Sequence, residues 1–545
     1  MKNLLLSMCT LFLLHAFAYA QSMNEIQGFA AAPSLTTGNF NIVYGDSSAY
    51  RLNTGSGHVI IGAGAGMNIT TSGNPFTWHY NPPLSSTFPP STGNIFIGQG
   101  AGYSCTTGLD NVFIGSHAGW SAVLGSNNTF VGAHSGWNTT NGSNNTFLGD
   151  DSGSMNTFGQ NNTFLGQGSG TANTNGSNNT FLGRSAGKRN TSGFQNTYLG
   201  REAGFDNSTG YYNTCVGDSA GIDAGVAIGN TMIGHASGAC TEHAGYNTFL
   251  GHNAGWENNR LNNTDDGIGN TYVGANTGRT NRVGEYNIMM GFDADFEEYG
   301  SRMTGQPKTQ NNYNIAIGYK ALLGQTKNHG ILLGSQTYVS QDYAMALGDS
   351  ARTMGQNSLA LGRQAQVNAN NAMAIGYGAT TGAANEVHFG NPAVSFIGGP
   401  VNWTATSDQR LKKNIQDDVV GLAFINKIRP VTYQFDPSAF KVLDIDIPSD
   451  LKSAMESRAQ IRYAGFLAQQ VDAAAQEVGF DFSGVDRPRA GENTYGLRYA
   501  EFTVPLVKAV QELSEKVASL EAELATKNDQ FETLSAEFQI MKKIL

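Results

Sequence analysis

The chain has 545 residues, and 69 of them are Gly, about one in eight against a usual share of about 7%. Charged residues make up only 14%, where a soluble domain usually carries about 25%. With 40% hydrophobic and 10% aromatic residues the chain is too apolar for disorder, and a net charge of -10 gives no electrostatic reason to bind nucleic acid. Collagen is excluded as well, because Gly has no three-residue period and only 14 Pro are present.

The first element, residues 1–20, reads as a secretory signal peptide. Lys2 supplies a basic start, Leu4 to Phe17 an apolar run, and Ala18-Tyr19-Ala20 a small-x-small cleavage signal. No later segment holds the roughly 18 apolar residues that a membrane span needs. The expected mature chain is exported, secreted or held at the cell surface, and keeps Cys105, Cys215 and Cys240. An odd count argues against a disulfide framework.

After an N-terminal segment, 21–57, a repeat fills residues 58–399. Each unit places a short apolar pair before a Gly, as in Asn128-Thr129-Phe130-Val131-Gly132. These anchor glycines step by 17 from Gly98 to Gly251 and by 14 from Gly334 to Gly390, with interruptions between. A second Gly follows the anchor by four residues, as at Gly119, Gly136 and Gly153, and the residue before it is Ala or Ser. Units of 14 to 17 residues are too short for a helix pair or a propeller blade. They fit one coil of a β-solenoid, with two short strands and two tight turns. Neighbouring strand residues point to opposite faces, yet Phe130, Phe147 and Phe164 precede Val131, Leu148 and Leu165, so both faces are apolar. A thin coil covers one face, which leaves the other to a second subunit. Cys215 stands in an aromatic's place and is expected as a small buried hydrophobe.

The 14-residue units Asn357-Ser358-Leu359-Ala360-Leu361-Gly362 and Asn371-Ala372-Met373-Ala374-Ile375-Gly376 resemble head repeats of trimeric autotransporter adhesins. The 17-residue units look like a longer variant. The resemblance covers roughly residues 58 to 390 and implies a trimeric, left-handed parallel β-roll. That family ends in a membrane β-barrel, whereas this sequence ends Met541-Lys542-Lys543-Ile544-Leu545 on a helical pattern, so self-anchoring is not expected.

Three insertions interrupt the coils. They carry Trp78, Tyr80 and Phe88; Trp256, Asp265 and Asp266; and Asp293, Asp295, Glu297 and Glu298. No regular calcium loop appears, and solvated charge is the expected state of these carboxylates; neither metal nor cofactor is expected. Trp120, Trp137 and Trp256 occupy equivalent positions, and the first two should stack on adjacent coils as a packing column, with a glycan platform on Trp78, Trp120, Trp137 and Trp256 as the alternative. His117 and His134, like His235 and His252, should stack facing solvent. The Asn-x-Thr triplets, in repeat register, should form Asn turns and ladders rather than glycosylation sites.

The period stops at Pro400, and residues 401–545 hold 38 of the 74 charges but six Gly. Thr406-Ser407-Asp408-Gln409-Arg410-Leu411-Lys412-Lys413 reads locally as a helix start capped by Ser407. The motif Ser407-Asp408-x-Arg410-x-Lys412-x-x-Ile415 is also similar to the start of the intramolecular chaperone that ends phage tailspikes, endosialidases and tail fibres. Ile428 to Tyr433, Tyr463 to Gln469 and Ala509 to Leu513 extend the match over about residues 403 to 525. The resemblance implies a small α+β domain, 400–505, that trimerises, nucleates the fibre and cuts itself off with a Ser/Lys pair. Ser407 would be the nucleophile, Lys412 the base and Ser407 to Asp408 the cleaved bond. Arg410 and Lys413 are cations that would hold Lys412 unprotonated. Five residues turn a helix by about 500°, so the pair needs an irregular turn or a second subunit. Gln470 stands where relatives carry Glu.

From Val510 to Leu545 apolar residues recur at alternating steps of three and four, broken at Lys527, which predicts a coiled coil over 506–545. The chain therefore reads as a secreted, adhesin-like homotrimeric fibre with an assembly chaperone that is a single-turnover serine endopeptidase, facing a host-surface or glycan ligand. The alternatives are a phage-type tail fibre and a polysaccharide-acting solenoid.

Overall fold

The computed structural model describes residues 24–36, 38, 41–70, 93–260, 266–296, 311–324, 327–401, 403–442, 451–488 and 494–545. The expected signal peptide, Trp78, Tyr80, Phe88, Asp265, Glu297 and Glu298 lie outside these residues. The chain forms two compact units, 1–373 and 374–545.

The first unit is mainly β, a parallel solenoid of about 19 turns whose three-residue strands run from Glu25–Gln27 to Leu359–Leu361. Successive strands pair in strict register, Thr163 on Thr180, Phe164 on Phe181 and Leu165 on Leu182. The middle residue of strands such as these points inward and is fully buried, so the 17-residue period becomes a column of rings. Phe130, Phe147, Phe164 and Phe181 stack with centroids 4.7 to 4.8 Å apart. Cys215 and Met232 interrupt the column as buried hydrophobes, and burial pushes the Cys215 thiol well above its ordinary range.

The two glycines of a unit serve different needs. A Cβ on the anchor Gly132 would lie 2.5 Å from the carbonyl oxygen of Gly149, because consecutive coils touch through their backbones there. A Cβ on Gly136 would lie 2.4 Å from the Phe130 ring, so the ring occupies the space that a side chain would need. Gly136 also has φ +60°, a conformation that disfavours other residues.

The wide coils carry one strand, not two. Their far side is an arc of turns, because the Gly that makes room for the ring has a left-handed backbone, φ +60° at Gly136, which no strand accommodates. The 14-residue coils are built the other way. Ala346 and Ala360 take the inward position, and short strands Tyr338–Val339, Arg352–Thr353 and Gln366–Val367 form a second parallel sheet. Val339, Thr353 and Val367 on these strands are fully buried.

A buried Asn ladder locks the wide coils together. Asn128 Nδ2 donates to Gly142 O at 2.9 Å, and its Oδ1 accepts from Asn145 N at 2.9 Å. The Asn pair divides its work, since Asn127, the residue before, lies outside the buried ladder in a left-handed turn with φ +59°. Leu165 and Leu182 point outward and remain 39% exposed, as one apolar stripe along the strand face.

The second unit packs Phe424, Val471, Ala474, Ala475, Phe482, Val485 and Phe502 into a small core. Helix Ala468–Glu477 and two antiparallel strand pairs, Val431–Tyr433 with Tyr463–Gly465 and Val485–Asp486 with Gly496–Leu497, surround it. The helix Thr503–Ile544 follows, and Glu512 on it accepts from Leu422 N at 2.7 Å, capping helix Leu422–Ile425. Beyond Leu513 this helix is exposed all round, its seam residues Val517, Leu520 and Leu524 included. Among the described residues, no helix is long and apolar enough to cross a membrane.

Candidate functional site

The segment before the small core brings Ser407 and Lys412 together. A single 3-10 turn, Gln409–Leu411, separates them, and Lys412 leaves it in an extended conformation with φ -108° and ψ 138°. This irregular turn returns the Lys412 side chain to Ser407, where Nζ donates to Oγ at 2.8 Å. A hydroxyl in contact with an amine is the minimal arrangement for a base-activated nucleophile.

The local helix start capped by Ser407 does not form. Asp408 is the cap, its Oδ1 accepting from Arg410 N at 2.9 Å. Arg410 folds back on the same carboxylate, Nη2 to Oδ2 at 2.7 Å, and holds the Asp408 carboxyl below its usual range. This cation is therefore turned to Asp408 rather than to Lys412. A longer helix has nothing to pack against, since Leu411 and Ile415 are 73% and 67% exposed, and isolated short helices are marginal in water. Lys413 is exposed, as is everything from Gln409 to Asp418. Gln470 accepts from Arg429 Nε at 3.2 Å.

On the solenoid, Trp120 and Trp137 stack with centroids 5.9 Å apart, and Tyr103 lies on Trp120 at 4.2 Å with planes 3° apart. The faces of Trp120 are thus taken by its neighbours, which is a packing column. His117 stacks on His134 at 5.8 Å and His235 on His252 at 5.1 Å. The guanidiniums of Arg260 and Arg279 each lie over the Trp256 ring, 5.6 Å from its centroid. Glu257 beside it, nearly buried, pairs with Arg260 and Arg282.

Asp295 turns inward: its Oδ1 accepts from Thr280 Oγ1 at 3.1 Å and from Phe296 N at 2.8 Å, and burial pushes its carboxyl up to about 7. One cluster escapes a residue-by-residue reading of the sequence: His134, Asp150 and Asp151, whose ligand-type atoms lie within 4.8 Å of one another. The 17-residue register, which sets position 134 on 151, is the signal for it. The two carboxylates are exposed, and His134 Nδ1 stands 3.7 Å from Asp151. Cys105, Cys215 and Cys240 are free thiols.

Two family models match parts of the chain. Residues 355–379 match the YadA head domain repeat in two copies, and residues 407–480 match the chaperone of endosialidase. Ser407 is the first residue of that second match. A search of curated proteins finds no match for this chain.

Proposed function

We propose that the chain is a secreted homotrimeric fibre whose C-terminal unit templates assembly and then releases itself by cutting beside Ser407. The two matched families and the solenoid support a trimeric adhesin or tail-fibre type protein. The 2.8 Å contact between Lys412 Nζ and Ser407 Oγ carries the self-cleavage reading.

Assembly and cutting are linked through solvent. A lysine amine accepts a proton only in its neutral form, which burial favours and water opposes. In the single chain the Ser407 segment is bare, and so are the apolar seam of the long helix and Trp403, Leu411 and Ile415. Packing of copies along the seam covers apolar area and desolvates the pair in the same event. Cutting then reports completed assembly. The outward stripe of Leu165, Leu182 and their equivalents gives the body a matching contact surface.

Intact-mass measurement on the purified full-length protein tests the reading. Wild-type chains should yield a fragment beginning at Asp408, while S407A and K412A should each leave full-length chains that still assemble. Wild-type trimers of uncut chains would sink the self-cleavage part.

A further inference from the structure

Resting on that reading, we infer that the cut is made between copies: Ser407 of one chain attacks the Ser407 carbonyl carbon of a neighbouring chain. The reason is ring size. A Ser Oγ that adds to its own carbonyl carbon closes a ring of four atoms, Oγ, Cβ, Cα and C. Such a ring forces angles near about 90° where the backbone prefers about 111° at Cα. A hydroxyl cannot approach its own carbonyl carbon along a productive line from that tether. The carbonyl that Ser407 does reach within its chain is that of Thr406, through a five-membered ring, and that route breaks the Thr406 to Ser407 bond instead.

The geometry suits a donor that works on a neighbour. Lys412 and Ser407 of one chain are already joined at 2.8 Å, so base and nucleophile form one unit. The Ser407 segment is exposed on both sides of the hydroxyl, Ala405 and Thr406 before it and Gln409 after the half-buried Asp408. It is open to a second copy, since the described residues of its own chain leave it uncovered.

The step balances as an acyl transfer. Ser407 Oγ of the first copy forms a bond to the neighbour's Ser407 carbonyl carbon while its proton passes to the neutral Lys412 amine. The carbon to nitrogen bond before Asp408 breaks, and the Lys412 ammonium returns the proton to the departing Asp408 nitrogen. The two chains are then joined by an ester. Water, with Lys412 taking its proton, adds to that ester and frees the Ser407 hydroxyl and the neighbour's new carboxylate.

The test uses two full-length chains with different tags, wild type and S407A, expressed together and purified through both tags so that every assembly is mixed. The inference predicts that S407A chains, intact when expressed alone, are cut at the bond before Asp408 in mixed assemblies, so that their fragments begin at Asp408. S407A chains that stay whole beside cut wild-type chains overturn cutting between copies, as does a wild-type fragment that begins at Ser407. If wild-type chains alone are never cut, the self-cleavage reading itself fails.

Discussion

The interior of the solenoid and the surface of the C-terminal unit treat apolar residues in opposite ways. Phe130, Phe147, Phe164 and Phe181 are fully buried by their own coils and stack on one another within one chain. Leu513, Leu520, Phe531 and Phe538 on the long helix are between 51% and 71% exposed. The coils bury their inward rings within one chain, whereas the long helix leaves its apolar seam uncovered in the single chain. The uncovered seam lies at the end of the chain that is poorest in Gly and richest in charge.

The comparison breaks most visibly at the seam. Replacing Leu520 and Leu524 together by Asp puts charge where a coiled coil would need apolar contact. Sedimentation should show monomers, and the fragment beginning at Asp408 should disappear. Unchanged trimers with normal cutting would place the assembly surface elsewhere.

Within the solenoid the largest effect should follow loss of a ring. F164A removes a fully buried side chain from the column, and about 3 to 5 kcal/mol of stability is expected to go with it. Hydrogen exchange should show the loss over coils 147 to 182 first, since repeats depend on nearest neighbours. A similar effect far outside those coils would contradict a column of local contacts.

A pH dependence should appear at the N-terminal coils. His58 sits in the Asn ladder, its backbone N–H donating to Asn41 Oδ1 at 3.0 Å and its Nδ1 accepting from Asn94 N at 3.2 Å. Burial lowers its pKa from 6.5 to about 4. The unfolded chain then binds the proton first, so stability is whole above about pH 6.5 and falls as pH drops toward about 4. The loss should approach about 3 kcal/mol by the linkage relation. H58N, which restores the usual ladder residue, should flatten this profile in urea melts, and an equally steep profile would exclude His58 as its source.

The smallest effect concerns Tyr198. In the second Asn ladder Asn173 Nδ2 donates to Asn156 Oδ1 and Asn190 Nδ2 to Asn173 Oδ1, each at 2.7 Å. Asn207 Nδ2 instead donates to the Tyr198 hydroxyl, which leaves Asn190 Oδ1 without a partner among the described residues. Y198F should let the ladder continue and change stability by about 1 kcal/mol or less, toward greater stability. A large destabilisation in thermal melts would contradict this account.

Much of the solenoid is legible because a fixed period turns sequence spacing into stacking. The steps of 17 put Phe on Phe, Asn on Asn and Trp120 on Trp137 without any knowledge of the third dimension. The single strand of the wide coil is not legible that way. It follows from the left-handed turn at Gly136, where the Phe130 ring occupies the space of a side chain, and is seen only when the ring is placed. The Ser407 pair is legible only through the motif's resemblance to the tailspike-type chaperone, since the local pattern reads Ser407 as a helix cap, and the requirement for an irregular turn follows from helix geometry. The cap at Asp408 and the folding back of Arg410 depend on what the segment fails to pack against, which local sequence does not state.

Native mass spectrometry of the purified wild-type protein tests the central claim most directly, because it reads assembly and chain integrity in one spectrum. The account predicts trimers containing chains cut between Ser407 and Asp408, and only uncut chains among monomers. Trimers of whole chains, or cut monomers, would contradict it.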